Sequence, residues 1–465
     1  MSERRPQQNV DRIRTGQFER RATMAKAGVV AGSKAAATGF ANLFRSPEQR
    51  SIRNRQMMSK QAEYLVQELG QLKGSIVKVG QMMALYGEHF LPEEITDALH
   101  QLEDQTTALR WEAVEPHFRE QLGKRFDELE IDPEPLGAAS LGQVHRARRK
   151  RDGRELCLKL QYPGVAQAID TDIEAMMGLL KVVKALPKGP DFDEWLDEVR
   201  SMLHREVDYQ LELETTHFFR ERLKDDPRFI VPEVFPEYST PNVLATSYEP
   251  GVVVGSDECM ALPQSRRDSI GYAALDLFFK EFFDWHEMQT DPNFGNYRLR
   301  IDPTGEQDKI VLLDFGAVKL FPDSFMQAFH KVVGGAFYRN RERLLEGAVG
   351  LAFLRDDFPQ DVQDSFVKVA YKIIEPFDRR DDSDTPPEAI SSTGTYGWGK
   401  SNLPERVARS GGSAALSRHF KIPPREFIFM TRKLVGVYTF LAVLDASIDA
   451  GPLLKTYLNQ ANIRD

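Results

Sequence analysis

The chain has 465 residues and is 41% hydrophobic and 28% charged, a globular composition long enough for two or three ordinary domains or one large two-lobed enzyme. Its only cysteines, Cys157 and Cys259, argue against a disulfide framework or a cysteine-rich zinc site and fit a reducing compartment. The formal net charge of −9 is unevenly spread, with 13 Lys+Arg against 4 Asp+Glu in residues 1–60 and an acidic remainder.

In chain order, residues 1–50 read as a basic, partly mobile tail. MSERRPQQNV lacks a compact apolar core, which disfavours secretion. The reading leans to a cytoplasmic protein peripheral to the inner membrane, while Arg4, Arg5, Arg12 and Arg14 keep the mitochondrial matrix side open. The small-residue stretch 25–44 is weakly amphipathic, and the basic tail reads as a contact for an anionic membrane surface, as a contact for the acidic body of the chain itself, or as a simple mobile extension. From Ser51 to Glu130 the pattern is helical, with Leu65, Leu69, Leu72, Ile76 and Val79 recurring at intervals of three and four. Residues 133–164 change character, with two strand-like runs flanking the hairpin signal RDG. Helical periodicity returns over Ala166–Leu186 and Phe192–Leu223, and two proline-broken strands follow in residues 229–251. Ile270–Met288 reads as one long apolar helix before a polar loop, a hairpin and a strand ending in DFG. The remainder is helical apart from a Pro/Ser/Gly-rich loop at 379–402. The apolar run Leu434–Leu444 is too short to span a bilayer and reads as a buried helix. These elements predict a helical extension at 51–130, a β-containing lobe with a helical insert at 131–251 and a helical lobe at 252–465.

A strand lysine, a helical glutamate, an Asp-x-x-x-x-Asn loop and a downstream DFG occur in that order, as in protein kinases that hold ATP and two Mg2+ ions. In that arrangement Lys159 reaches the α- and β-phosphates as a point charge. Asp314 and Asn296 are metal ligands, because hard cations take oxygen donors. Asp291 orients or deprotonates the nucleophile. The stretch EVDYQLE offers two partners for lysines: on a continuous helix Glu206 and Glu212 stand roughly 240° apart and face different groups. We pair Glu206 with Lys78 and Glu212 with Lys159.

The motifs KVGQ (Lys78 to Gln81), GAASLGQVHRA (137–147), LKLQYPGV around Lys159, EVD (Glu206 to Asp208), QTDPNFGN and LLDFGA together resemble the UbiB or aarF-domain family of atypical protein-kinase-like proteins, and within it the branch that supports coenzyme Q synthesis. The resemblance covers about residues 60–450. It implies an α+β, protein-kinase-like two-lobed fold with an added N-terminal helical extension. It further implies that the alanine-rich loop (Ala138, Ala139, Ser140) alters nucleotide selectivity and suppresses self-phosphorylation, alanine being stiffer than the usual glycine. Glu249 joins the nucleotide-binding set, and Lys78, Gln81, Glu206 and Asp208 form a pocket-occluding, regulatory group. Asp208 is equally readable as a local cap or surface pair. The implied cofactors are ATP and Mg2+. The implied partners are ATP/ADP, an anionic membrane surface, a quinone-precursor lipid, quinone-biosynthetic enzymes and a second copy of the chain.

Two departures from ordinary protein kinases argue against a peptide substrate. Thr290 stands where His-Arg-Asp has arginine, and no Ala-Pro-Glu follows Gly316. The expected function is therefore an ATPase or small-molecule kinase supporting ubiquinone synthesis. The alternatives are a non-catalytic nucleotide-binding scaffold and a conventional protein kinase. Nucleic-acid binding is not expected, since the basic residues gather in the tail without interleaved aromatics, and no P-loop signature occurs.

Overall fold

The computed structural model describes residues 8–10, 75–87, 91–100, 108–139, 141–182, 186, 190–291, 293–355, 357–378, 385–411 and 425–463. Apart from a short strand at 8–10, the basic tail lies outside the described residues, as do Leu65, Leu69, Leu72 and Ser140. The chain divides into two compact units, one of residues 2–217 with 233–248, the other of 218–232 with 249–465.

In the first unit, β1 (Gln8–Val10) pairs in parallel with β2 (Ala108–Leu109). Between them come α1 (Ser75–Gly87) and α2 (Glu93–His100). Ile76, Val79 and Met83, at helical spacing, form the fully buried stripe of α1, which packs against α2 and the later helices α4 (Val165–Val182) and α5 (Pro190–Glu206). The Ser75 hydroxyl donates to buried Asp172 on α4. Helix α3 (Trp111–Leu122) leads into β3 (Leu129–Ala138), β4 (Gly142–Arg149) and β5 (Glu155–Gln161). Strand β5 alternates as a half-buried strand should: Leu156, Leu158 and Leu160 are fully buried on one face, with Cys157, Lys159 and Gln161 on the other. Helix α6 (Tyr209–Leu223) passes from the first unit into the second at Phe218, β6 (Phe229–Ile230) belongs to the second, and β7 (Val243–Ser247) returns to complete an antiparallel sheet of order β3-β4-β5-β7.

The second unit continues with α7 (Gln264–Phe279), β8 (Glu287–Gln289), β9 (Tyr297–Arg300), β10 (Lys309–Leu312) and β11 (Val318–Leu320). Strand β10 lies between β6, in parallel, and β9, antiparallel, while β11 pairs with β8. The helices α8 (Asp323–Phe337), α9 (Arg341–Gly350) and α10 (Gln360–Ile373) precede β12 (Tyr396–Gly397) and α11 (Leu403–Gly411). Helix α12 (Arg425–Val443), β13 (Ser447–Ile448) and α13 (Gly451–Gln460) close the unit.

Several sequence expectations are corrected. The helix expected over Phe192–Leu223 is two helices, broken at Val207–Asp208, because Asp208 caps α6: its carboxylate accepts from Leu211 N at 3.0 Å. The long helix expected to Met288 ends earlier. After Phe279 it widens into a π-helical turn, Lys280–Trp285, and stops at His286 in the left-handed conformation (φ 55°). The all-helical reading to Glu130 missed β2, and the loop expected at 379–402 contains β12 with Tyr396 and Trp398 buried. Helix α12 carries Leu434–Val443 and Leu444 falls in the turn after it; Leu441 and Leu444 are fully buried, but Val435 is exposed.

Candidate functional site

In the first unit the Lys159 ammonium stands 2.8 and 2.9 Å from the two carboxylate oxygens of Glu212. The Glu212 side chain is 3% exposed and that of Lys159 25%, so the acid is the more buried member of the pair. Lys78 Nζ lies 2.5 Å from Glu206, and Gln81 is partly exposed one helical turn further along α1. Glu206 ends α5 whereas Glu212 lies in the first turn of α6, so the two glutamates are separated by a break between helices and not by rotation about one axis. Asp208 takes the local reading left open for it, as the α6 cap. At the alanine-rich turn Ala138 ends β3, and Ala139 N donates to Gly142 O at 2.8 Å, closing the hairpin.

In the second unit the loop between β8 and β9 is knotted by its own side chains. Asn296 Nδ2 donates to Asp291 Oδ2 at 2.7 Å, and Asn293 Oδ1 accepts from Gly295 N at 2.8 Å. Thr290, in the arginine's place, donates both its N–H (2.9 Å) and its hydroxyl (2.8 Å) to Ala317 O, tying this loop to the residues just past DFG. Asp314 Oδ1 accepts from Gly316 N at 2.9 Å, and Phe315 packs on Phe219 with ring centroids 4.8 Å apart. Glu249 forms an ion pair with Arg300 at 2.6 Å, so its carboxylate has a protein cation as partner.

Beneath this loop are groups that the sequence did not single out. Lys433 of α12 makes an ion pair with Glu281 of the π turn, the two side chains only 8% and 2% exposed. Glu281 also accepts from Gln289 N at 3.3 Å. Burial pushes the Glu281 carboxyl above its ordinary range, against the pull of Lys433. The Tyr297 phenol is pushed up by burial and then by the charges of Glu281, Asp291 and Asp314, which marks a convergence of three carboxylates. Arg432, beside Lys433, reaches Asp291 at 3.8 Å, and burial pulls its guanidinium down to about 10. Glu281, Gln289, Asn296, Tyr297, Asp314 and Lys433 line a cavity with room for about one water molecule, into which the buried Gln289 Nε2 has no protein partner. The sequence signal for this group was slight: two adjacent cations, Arg432 and Lys433, at the head of an apolar run.

The donor set fits Mg2+. This ion binds through one or two carboxylates together with substrate phosphates and water. Asp314 supplies a carboxylate, and the Asn296 amide, donating its nitrogen to Asp291, is oriented with its oxygen as the remaining donor. Among the described residues no group of three or more His, Cys, Asp or Glu could hold a metal by itself, and no helix is long and apolar enough to cross a membrane.

The strand lysine with its buried helical glutamate, the Asp291–Asn296 loop and the Asp-Phe-Gly turn define a protein of the kinase-like fold class, atypical in the short connection after the glycine. The chain belongs to the ABC1 atypical kinase-like family, whose domain model matches residues 101–348. It is 31% identical over 401 residues to the mitochondrial atypical kinase COQ8 of Schizosaccharomyces pombe, covering 86% of this chain but 63% of that protein's length. It is 31% identical over 398 residues to the mitochondrial atypical kinase COQ8B of Rattus norvegicus, covering 85% and 71%. Among solved structures, the Rv3197 protein of Mycobacterium tuberculosis, in complex with erythromycin, shares the fold with a TM-score of 0.57 at 24% identity, over 89% of this chain and 98% of that one.

Proposed function

We propose that this protein binds ATP with Mg2+ and turns it over, as an ATPase or as a kinase for a small molecule, in support of ubiquinone biosynthesis at a membrane surface. The observation that carries the reading is the Lys159–Glu212 pair. A buried carboxylate is costly unless paired, so Glu212 holds the Lys159 ammonium in one place, where it would meet phosphate oxygens as a point charge. Asp314 and Asn296 would hold Mg2+, which when bound neutralises developing charge on the phosphates. Asp291, fixed by Asn296 Nδ2, orients the attacking hydroxyl or water and accepts its proton. A small acceptor or water is favoured over a peptide because β11 follows Gly316 almost at once and pairs with β8, and α8 begins at Asp323. That leaves little chain from which to build a peptide platform. The quinone role rests on the family and on the COQ8 relatives, and the membrane role on the basic tail.

The test is Mg2+-dependent ATP turnover with and without anionic liposomes and a quinone-precursor mimic. Asp291→Asn should retain nucleotide and lose turnover, whereas Asp314→Asn should lose Mg2+-dependent binding. Equal nucleotide affinity in wild type and Asp314→Asn would overturn the metal assignment. Binding without turnover in the wild type would favour a nucleotide-binding scaffold.

A further inference from the structure

The break between α5 and α6, residues Glu206–Tyr209, is held by four independent contacts within the first unit. Glu206 meets Lys78 of α1 at 2.5 Å. The Val207 carbonyl accepts from Gln161 Nε2 at 2.8 Å. Asp208 caps α6 and so fixes the turn that carries Glu212 to Lys159. Tyr209 lies against the close of the alanine-rich hairpin: a Cβ built on Gly142 would stand 3.0 Å from the Tyr209 hydroxyl and 2.4 Å from Leu160 O, and Lys159 Nζ lies 5.2 Å from the Tyr209 ring centroid.

Gln161 is the contact whose loss nothing else on this segment would make good. It is 2% exposed, so no solvent is at hand to replace its amide. Val207 directly follows the last residue of α5, where carbonyls lack intrahelical partners, and Val207 is itself buried. Gln161 and Lys159 are two apart on β5 and project from the same face of the sheet, one to the break and the other to the helix that starts there. One strand therefore fixes both where α6 begins and what its first turn reaches.

We propose that Gln161 is a positioning residue that couples the Lys78–Glu206 pair to the Lys159–Glu212 pair, so that α1 tunes nucleotide affinity through residues 206–209. The proposal rests on Lys159 being a nucleotide contact. With Gln161 in place the break is rigid, and a displacement of Lys78 reaches Glu212 through Glu206, the held carbonyl and the Asp208 cap. Without it the Val207 carbonyl must move to find a donor, and the two ion pairs shift independently.

The experiment is a double-mutant cycle on the full chain, read as the MgATP dissociation constant. Lys78→Ala should shift affinity in the wild-type background. Gln161→Met, similar in shape but without a donor, should weaken binding about fivefold or more, and Lys78→Ala should then add no further shift. Gln161→Asn, polar but one methylene too short to reach Val207, should behave as Gln161→Met does, and serves if the methionine variant folds poorly. Unfolding midpoints without nucleotide separate this coupling from general loosening. Wild-type affinity in the Gln161 variants, strictly additive effects with Lys78→Ala, or no effect of Lys78→Ala in the wild type would each overturn the coupling. A wild type that binds no MgATP would instead overturn the reading of Lys159, and the coupling with it.

Discussion

Lys433→Met probes the ion pair beneath the Asp291 loop. The substitution keeps the length of the side chain and removes the charge, leaving Glu281, with a 2% exposed side chain, facing a cavity wall that already carries the influence of Asp291 and Asp314. Removing one member of a buried pair costs about 3–5 kcal/mol, because the survivor is an uncompensated charge. The loss should depend on pH in a defined direction. Burial already raises the Glu281 carboxyl and Lys433 opposes that rise, so the variant raises it further. The folded variant then holds its proton to higher pH than the unfolded chain, whose glutamate titrates near about 4.3. Its deficit relative to wild type is therefore smallest at acidic pH and grows as pH rises towards the elevated folded value. Glu281→Gln/Lys433→Met, which removes both charges, should cost less than Lys433→Met alone. Urea unfolding followed by tryptophan fluorescence from pH 5 to 8 measures all three. A cost for Lys433→Met that is independent of pH, and that simply adds to the cost of Glu281→Gln, would refute the reasoning.

Three further outcomes are expected. Ala138→Gly restores backbone freedom at the end of β3 and should increase self-phosphorylation, read as labelled phosphate incorporation; no increase would leave the alanine a packing residue alone. His330 stacks on Phe283 at 4.7 Å and is pulled by burial to about 4, so the native state resists its proton while the unfolded chain accepts it below about 6.5. Its contribution is present above that pH and is lost as pH falls towards 4, up to about 3 kcal/mol, and His330→Phe should flatten the acid limb of a urea-midpoint profile. Deleting residues 1–60 should abolish salt-sensitive sedimentation with anionic vesicles, at about 1 kcal/mol per basic residue close to the surface, while MgATP binding persists. Undiminished sedimentation would move the membrane contact to another surface.

Charge and motif order made the ion-pairing residues legible, and hydrophobic alternation did the same for the β4–β5 hairpin. What sequence could not supply was the point at which a helix stops for a tertiary reason. EVDYQLE carries helix-forming residues on both sides of Asp208; a local cap was one reading of that aspartate, but nothing local says that Gln161, buried on β5, will capture the Val207 carbonyl. The run LFFKEFFDWHEM likewise reads as the end of one long apolar helix. Its π turn places Glu281 against Lys433 of α12, a partner so distant in sequence that no periodicity reports it. Residues 379–402 have the composition of a loop, yet β12 pairs with β13, and Tyr396 donates its hydroxyl at 2.7 Å to Glu375, which is also bound by Arg406. Burial there follows from a polar network closed by distant groups, which local composition does not encode.

The treatment of Thr290 shows how such distant groups alter what a motif can do. In its place the sequence lacks the arginine that ordinarily precedes the loop aspartate, and local reading ends at that loss. The fold instead turns Thr290 inward, with its N–H and hydroxyl both spent on Ala317 O, so that the Asp291 loop is tied to the residues after Asp314. A cation does approach Asp291, but from α12, where Arg432 stands 3.8 Å away beside the Lys433 that pairs with Glu281. Two neighbouring residues of one helix thus meet both the acid proposed to orient the nucleophile and the acid buried beneath it. An arginine next to the loop aspartate could answer to a phosphate placed on a flexible segment. A cation carried on α12 beside the buried Met430 and Lys433 answers instead to the packing of that helix.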